Sequence, residues 1–281
     1  LKSDGASLYS TTDLATLVVC MKEHNPDRVI YLADARQSMH FIQVFRCARK
    51  TGIVPDTTEL VHIGFGTMNG KDGKPFKTRD GGVMRLEYLL KEIDDEMLNK
   101  IKENQKEKEN LNIDEAEAKQ TAKTVALAAV KYGDLSNQAS KDYIFDIDRF
   151  TSFEGNTGPY ILYTIVRIKS ILSKYEAKGG NISALKDAIM PAVNAGQKNL
   201  MLSLAKFNAT IESAYEESAP HKICAYIYEL ANAFNGFYHD TKILSEENEE
   251  LKKSYISLLV LTKEILEACI DMLGFSAPDR M

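Results

Sequence analysis

The sequence lacks paired cysteines and long apolar runs, and both absences exclude classes of protein. Its four cysteines, Cys20, Cys47, Cys224 and Cys269, lie far apart along the chain. This spacing matches neither a zinc site nor a disulfide framework, so we predict no protein-bound metal and four buried thiols in a reducing cytoplasm. No apolar run approaches the roughly 20 residues that a membrane span needs, which argues against membrane insertion.

The sequence also lacks a strong excess of positive charge. A net charge of -5 argues against a uniformly basic surface that coats nucleic acid, but it does not exclude a local basic groove. With 281 residues, 44% of them hydrophobic, the chain is large enough for two modest domains, which we expect. It opens at Leu1 on a polar stretch without an apolar leader, so we expect a piece of a longer protein.

The first 66 residues alternate between helical and strand patterns, which indicates an α/β architecture. The stretch "DLATLVVCMKEHNP" predicts a helix that Asp13 caps and that stops before Pro26. The runs "RVIYLAD" and "ELVHIGFG" predict strands, and "SMHFIQVFRCARKTG" between them predicts a second helix. Two strands joined in this way form a parallel crossover, whose ligands bind beyond the carboxyl ends of the strands. The residues at those ends are Asp34, Gln37, His62, Gly64 and Gly66.

Helical patterns replace the strands from Leu86 onward. The stretch "RLEYLLKEIDDEMLNKIKENQKEKE" becomes almost wholly charged and predicts either a solvated helix or a mobile connector. The following "DEAEAKQTAKTVALAAVKYG" predicts a helix that Asp114 caps and Gly133 ends. The remaining half predicts a helical bundle, in which one helix has Pro159 in its first turn and Gly179 beyond its end.

A glycine-rich, basic stretch follows the second predicted strand. The sequence "HIGFGTMNGKDGKPFKTRDGG", residues 62–82, has six glycines and four lysine or arginine side chains. Glycines after a parallel strand let backbone N–H groups approach phosphate oxygens, and Lys74, Lys77 and Arg79 add positive charge. The stretch matches neither GxGxxG nor GxxxxGK[ST], and glycine with lysine is also typical of a plain surface hairpin. The residues alone leave both interpretations open.

Five blocks of the sequence span nearly the whole chain. They are "SDGASLYSTTDLAT", "VIYLADARQSMHF", "HIGFGTMNGKDGKPFKTRDGG", "FEGNTGPYILYTIVRIKSI" and "GFSAPDRM". Together, and in this order, they resemble arginyl-tRNA synthetase, a class I aminoacyl-tRNA synthetase. The resemblance implies a partial nucleotide-binding, Rossmann-like parallel sheet followed by an all-α anticodon-binding bundle. The match lacks the family's amino-terminal domain and the half of the catalytic domain with the HIGH motif.

The resemblance also implies domain bounds. We expect residues 1–93 to form the carboxyl-terminal half of the catalytic domain, with a KMSKS-like loop. Residues 94–150 are expected to form a helical connector. Residues 151–281 are expected to form the helical anticodon-binding domain.

The resemblance implies a reaction and its partners. The parent enzyme activates L-arginine with ATP, which carries Mg²⁺, to arginyl-adenylate and then transfers the arginyl group to tRNA(Arg). We expect a cytoplasmic, monomeric enzyme without membrane contact, and we expect the isolated piece to be inactive because half of the ATP site is absent. The alternative is a non-enzymatic tRNA-binding module.

The catalytic positions that carry over lie in the basic loop. Residues 76–81 take the place of the KMSKS loop, where Lys77 and Arg79 contact the phosphates of ATP. Asp80 stands where relatives often have serine, and this puts an acid beside the phosphate site. The expected ATP-binding residues are His62, Gly64, Phe65, Lys74, Lys77 and Thr78. For His62, a half-buried strand histidine is the alternative.

Arginine recognition and tRNA binding carry over to two further sets. Tyr9, Asp13 and Gln37 match the arginine-recognition positions, with Asp13 as the charge partner of the guanidinium. The alternative for Asp13 is a helix cap. His40, one turn past Gln37, faces either the active site or the packed interior. The expected tRNA-binding residues are Phe153, Asn156, Tyr160, Arg167 and Met281.

Overall fold

The computed structural model describes residues 2–74, 85–107, 114–185 and 188–281, with the side chains of residues 104–107 left undescribed. The chain divides into two compact units. The first consists of Leu1–Asn69 and Ala139–Ile144, and the second of Gly70–Gln138 and Phe145–Met281. None of the helices in the described ranges is long and apolar enough to cross a membrane.

The first unit is an α/β arrangement, as predicted. Its elements are α1 (Tyr9–Glu23), β1 (Arg28–Asp34), a 3-10 helix (Ala35–Gln37), α2 (Ser38–Lys50), β2 (Glu59–Phe65), β3 (Met68–Asn69) and β4 (Tyr143–Ile144). Strands β1 and β2 pair in parallel, with Tyr31 opposite His62 and Asp34 opposite Phe65. Strands β3 and β4 form a second parallel pair. Both long strands therefore end at the same edge of the sheet, beside the 3-10 helix.

The core of the first unit lies between α1, α2 and the sheet. Leu17, Val44, Ala48 and Val54 are buried there. They come from α1, α2 and the segment before β2, so burial of this one cluster holds both helices on one face of the sheet.

Helix α1 begins earlier than predicted. It starts at Tyr9, and Leu8 is its N-cap residue without a side-chain cap bond. The hydroxyls of Thr12 and Thr16 bond back to the carbonyls of Tyr9 and Thr12 at 2.8 and 3.0 Å, so they do not compete with the helix at its start. Asp13 thus lies inside the helix, and its expected role as the cap is wrong.

The second unit is a helical bundle, as predicted. Its helices in the described part are α3 (Leu86–Glu107), α4 (Glu115–Leu135), α5 (Ile147–Phe150), α6 (Gly158–Ala177), α7 (Ala195–Ala205), α8 (Phe207–Glu216), α9 (Pro220–Asp240) and α10 (Glu249–Met272). Helix α3 packs on α4. Its buried stripe of Leu89, Ile93, Met97 and Ile101 recurs every four residues. The charged stretch is therefore helical as far as Glu107.

The ends of α4 and α6 test the capping predictions. Asp114 caps α4, because its Oδ1 accepts a hydrogen bond from the Glu117 amide at 2.8 Å. Gly133 does not end α4, which continues to Leu135. A Cβ atom there would lie 2.4 Å from the Phe150 ring, so glycine admits that ring against the helix. Gly179 follows α6 with a φ of +90°, as its predicted stop requires.

The start of α6 is built by the "FEGNTGPY" block. The Thr157 Oγ1 accepts a hydrogen bond from the Tyr160 amide at 3.2 Å, which caps the helix, and Pro159 occupies its first turn. Gly158 approaches α4 so closely that a Cβ atom would lie 2.3 Å from the Ala128 carbonyl oxygen. Much of the block that carries the family resemblance is therefore structural.

The cysteines are only partly buried. Cys224 and Cys269 are buried in the bundle, and burial raises the pKa of both thiols to about 12. Cys20 is half-buried and Cys47 is exposed on α2. The prediction of four buried thiols is wrong for Cys47, because its position on α2 points away from the face that packs on the sheet.

Candidate functional site

An acid and an imidazole from neighbouring helices meet on the surface of the first unit. The Asp13 Oδ2 atom on α1 lies 2.6 Å from the His40 Nε2 atom on α2. The Asp13 side chain keeps 25% of its exposure and the His40 side chain keeps 31%. The carboxylate is thus held by a partner and still reachable from solvent.

Aromatic rings form a wall behind this pair. Phe41 is buried and lies 5.1 Å from the His40 ring, edge-on, and 4.9 Å from the Tyr31 ring between centroids. The Tyr31 hydroxyl donates to the backbone carbonyl of Asp13 at 3.4 Å. Burial, followed by the negative charge of Asp13, raises the pKa of Tyr31 to about 12, so this hydroxyl stays protonated as a donor.

The other two predicted arginine-recognition residues flank the pair. Tyr9 is 86% exposed and lies one turn before Asp13 on α1, so the two side chains share a helix face. Gln37 is exposed directly before α2, one turn from His40. A fixed carboxylate with an exposed ring and an amide nearby suits a flat organic cation.

The predicted ATP-binding residues of β2 lie at the end of the sheet. Phe65 is 42% exposed. Gly64 abuts the 3-10 helix, where a Cβ atom would lie 2.9 Å from the Ala35 Cα. The His62 ring stacks on Phe41 at 4.7 Å, and its buried Nε2 has no hydrogen-bond partner within the ranges that the structure describes. His62 thus has the half-buried strand environment of the alternative interpretation.

A bidentate ion pair between the end of β1 and the 3-10 helix lies at the same edge of the sheet. Arg36 donates from Nε to Asp34 Oδ1 at 2.9 Å and from Nη2 to Asp34 Oδ2 at 2.6 Å. These hydrogen bonds lower the pKa of Asp34 to about 2. The carboxylate also caps the 3-10 helix by accepting from the Arg36 amide. Both carboxylate oxygens of Asp34 therefore accept hydrogen bonds from Arg36 of the same chain.

Of the glycine-rich, basic stretch that follows β3, the structure describes residues 70–74, which belong to the second unit. Lys74 is exposed, and its carbonyl accepts from the Gly70 amide at 2.8 Å in a tight turn. Lys71 is paired instead, because its Nζ lies 3.0 Å from Asp146 Oδ1 and 3.2 Å from Asp148 Oδ2. Asp146 and then Asp148 raise the pKa of Lys71. Lys77, Thr78 and Arg79 lie outside the described residues.

Two of the predicted tRNA-binding residues meet through α9. The Tyr160 hydroxyl donates to Asn232 Oδ1 at 2.6 Å and accepts from Asn235 Nδ2 at 2.9 Å. Arg167 Nη1 donates to Asn235 Oδ1 at 2.6 Å. Asn235 therefore joins one tyrosine and one arginine on the face of α6. Neither asparagine is among the residues predicted from the sequence, although their spacing of three on a largely apolar helix places them together.

Arg167 also lies between two rings. Its guanidinium carbon is 4.7 Å from the centre of the Tyr163 ring and 5.5 Å from that of Tyr238, which is exposed. A guanidinium held by stacking and one amide keeps N–H groups for an acceptor such as a phosphate. The Tyr238 ring beside it is exposed, and an exposed aromatic ring is a group of the kind on which bases stack.

The remaining predicted tRNA-binding residues are held separately. Asn156 Oδ1 lies 2.5 Å from the hydroxyl of buried Tyr132, which is 2.8 Å from the Cys224 carbonyl oxygen. Phe153 is half-buried between α5 and α6, and Met281 is half-buried at the end of the carboxyl-terminal tail. The tail is anchored by Arg280 to Glu117 of α4 at 3.2 Å and by Asp279 to Lys169 of α6 at 3.1 Å.

Within the part of the chain that the structure describes, no group of three or more His, Cys, Asp or Glu side chains could hold a metal ion. The surface around Asp13 and the surface around Arg167 offer carboxylate, guanidinium, amide and aromatic groups. Such groups bind charged and planar organic ligands.

Known proteins match this chain over its whole length. A family model described as the catalytic domain of class I (R) tRNA synthetases matches residues 1–147, and the DALR anticodon binding domain matches residues 161–281. The chain is 98% identical over its full length to the arginine–tRNA ligase of Agathobacter rectalis and 55% identical to that of Alkaliphilus oremlandii. It covers 47% and 46% of those proteins.

A solved structure gives the same result. The chain is similar to the crystal structure of arginyl-tRNA synthetase from Plasmodium falciparum with a TM-score of 0.81 and 28% identity. The match covers 100% of this chain and 46% of that one. The chain thus spans about half the length of the curated relatives it matches. Because the catalytic-domain model matches more than half of its residues, this chain belongs to the class I (R) tRNA synthetases, the family of the arginyl-tRNA synthetases.

Proposed function

We propose that this chain supplies the arginine site and the tRNA-binding bundle of an arginine–tRNA ligase. Membership of the class I (R) family and the names of the relatives support this proposal. In the reaction, an oxygen of the arginine carboxylate attacks the α-phosphorus of ATP and pyrophosphate leaves. A hydroxyl of the terminal ribose of tRNA(Arg) then attacks the carbonyl carbon of the adenylate, and AMP leaves. No covalent intermediate with the protein forms, so positioning and charge stabilisation supply the catalysis.

The placement of Asp13 is the observation that carries the arginine site. A cap residue sits at the end of a helix, whereas Asp13 lies inside α1 with its carboxylate held by His40. A guanidinium binds such a carboxylate through charge-assisted hydrogen bonds. Tyr9 offers an exposed ring and Gln37 offers an amide to the rest of the substrate.

ATP binds, in this proposal, at the carboxyl ends of β1 and β2. Gly64 and Phe65 line the adenine and ribose, with His62 behind them, and Lys74 belongs to the basic loop. The roles of Lys77, Thr78 and Arg79 rest on the family resemblance alone. Mg²⁺ arrives, in this proposal, as the counterion of the ATP phosphates.

The tRNA anticodon binds, in this proposal, on the face that α6 and α9 share. Tyr160 and the rings around Arg167 provide stacking surfaces, and Arg167 provides a charge for the phosphates. Phe153, Asn156 and Met281 extend this surface toward the start of α6 and the carboxyl terminus. We further propose that the enzyme works as a cytoplasmic monomer.

Arginine-dependent exchange of pyrophosphate into ATP, with tRNA(Arg) present, tests the enzymatic part. We expect exchange by a full-length protein that carries this sequence and none by the 281 residues alone. Asp13→Asn in the full-length protein is expected to raise the KM for arginine by roughly tenfold to a hundredfold, since a hydrogen bond to a charged group contributes about 1.5–3 kcal/mol. Exchange by the isolated chain, or an unchanged KM, contradicts the proposal.

Binding of an anticodon stem-loop to the isolated chain tests the tRNA part. We expect Arg167→Met to weaken binding by about tenfold, because stacking on this surface contributes roughly 1–3 kcal/mol for each base. Lys178→Met is the matched control, since it removes one exposed positive charge at the end of the same helix. If Arg167→Met and Lys178→Met weaken binding equally, the stem-loop responds only to the overall charge of the chain and not to the position of Arg167. Binding without exchange by the full-length protein supports the alternative of a non-enzymatic tRNA-binding module.

A further inference from the structure

We propose that His40 is a positioning residue for arginine, which fixes the carboxylate of Asp13 in the orientation that a guanidinium needs. This inference rests on the proposed function, in which Asp13 binds the substrate. The two side chains come from different helices and meet at 2.6 Å between Nε2 and Oδ2. Nothing in the local sequence pattern of either helix requires this pairing.

The chemistry of the pair assigns the proton. An ionised carboxylate only accepts hydrogen bonds, so His40 donates from Nε2–H to Oδ2. One lone pair of Oδ2 is thereby committed, and the second lone pair of Oδ2 and those of Oδ1 remain for the two N–H groups of a guanidinium. Because rotation of a carboxylate about its Cβ–Cγ bond is otherwise broad, this single bond selects the plane in which the two oxygens lie.

The orientation of His40 is itself set by the buried wall. Its ring meets Phe41 edge-on, with 5.1 Å between centroids and an interplanar angle of 74°. Phe41 is in turn fixed between Tyr31 and His62, at 4.9 and 4.7 Å. The Tyr31 hydroxyl also contacts the backbone of Asp13. The rings of Tyr31, Phe41 and His62 therefore hold both Asp13 and His40 in fixed positions relative to the sheet.

This arrangement has a consequence for selectivity. A guanidinium forms two parallel N–H···O bonds only when the carboxylate lies in its plane. Citrulline has the shape of arginine but carries an uncharged ureido group with an oxygen. A carboxylate held in place repels that oxygen, whereas a carboxylate free to rotate can turn toward its N–H groups. Loss of His40 is thus expected to weaken arginine binding and to narrow the preference for arginine over citrulline.

The test uses a full-length enzyme that carries this sequence and measures exchange kinetics. His40→Leu is expected to raise the KM for arginine by about tenfold while the KM for ATP changes by less than about twofold. His40→Gln keeps an N–H donor and is expected to recover most of this loss. Lys50→Leu, an exposed position at the far end of α2, is the control for a leucine on that helix.

A double variant separates positioning from packing. If His40 acts through the Asp13 carboxylate, the KM for arginine of Asp13→Asn/His40→Leu equals that of Asp13→Asn within about twofold. The inference is overturned if the effects of Asp13→Asn and His40→Leu on the KM for arginine multiply in the double variant. It is also overturned if His40→Leu raises the KM values for arginine and for ATP equally, or if His40→Gln recovers none of the loss. If Asp13→Asn raises the KM for arginine but His40→Leu does not, the role of His40 alone is refuted. If the unaltered enzyme shows no arginine-dependent exchange, the proposed function fails as well.

Discussion

Replacement of Gly158 by alanine tests whether the block that carries the family resemblance is structural. Gly158 starts α6 where the helix meets α4. A Cβ atom at this position would lie 2.3 Å from the Ala128 carbonyl oxygen, 2.6 Å from its carbon and 3.0 Å from the Ala129 nitrogen. All three atoms belong to the backbone, so no side chain can rotate away to make room.

The magnitude follows from the displacement that the clash requires. To reach an ordinary contact, α6 must move by about 1 Å, and this loosens the buried stripe that begins at Ile161. Overpacking of this kind costs about 1–3 kcal/mol, and occasionally more. Alanine recovers at most about 0.5–1 kcal/mol through the lower entropy of the unfolded chain. We therefore expect a net loss of about 1–2 kcal/mol in the free energy of unfolding.

Gly236→Ala is the matched control. Gly236 lies inside α9, and in the described ranges no atom beyond its chain neighbours and the surrounding helix backbone comes within 4 Å of the position of a Cβ. The same chemical change is there expected to stabilise the bundle by about 0.5–1 kcal/mol. Urea unfolding followed by circular dichroism at helical wavelengths measures both variants in the isolated chain, and the two midpoints are expected to shift in opposite directions.

The result that refutes this reasoning is a Gly158→Ala protein at least as stable as the unaltered chain. It would mean that α6 can retreat without loss and that the close approach to α4 is not required. An unfolding slope that changes together with the midpoint would instead indicate an altered unfolded state.

Three further predictions concern single residues. Thr157→Ala removes the cap of α6 and is expected to lower the free energy of unfolding by about 1 kcal/mol, whereas Thr157→Ser keeps it, as urea unfolding will show. Asp34 titrates at about 2 beside Arg36, against an ordinary pKa of 3.8, so the ion pair stabilises the fold above that ordinary value and this contribution disappears as the pH falls through about 2. Arg36→Met is expected to raise the pKa of Asp34 toward 3.8 but not fully to it, because the backbone amide of residue 36 still donates to the carboxylate, and an unchanged carboxyl titration by NMR excludes the Arg36 side chain as the main cause. Lys77→Ala in the full-length enzyme is expected to lower kcat by about tenfold or more through lost charge at the phosphates, and an unchanged kcat in the exchange assay removes the loop from the mechanism.

Three residues depart from what their type predicts. Asp13 has the composition of a cap, yet α1 starts four residues earlier. Gly133 has the composition of a stop, yet α4 continues through it, and the missing side chain leaves space for the Phe150 ring. Cys47 belongs to a residue type that is usually buried, yet it is exposed on α2. In these three cases the residue type alone fixed neither where a helix begins or ends nor which of its faces is buried.

The sequence by itself determined the two long strands, most of the helices and, through five motif blocks, the family. Apolar periodicity, capping at Asp114 and the glycine after α6 are local properties, and a chain carries them before it folds. Only the tertiary structure decided which polar groups meet. The contact of Asp13 with His40, the link from Tyr160 through Asn235 to Arg167, and the approach of Gly158 to Ala128 each join residues at least 27 positions apart. Such pairings depend on how helices pack, and packing is set by the whole buried surface rather than by any short stretch.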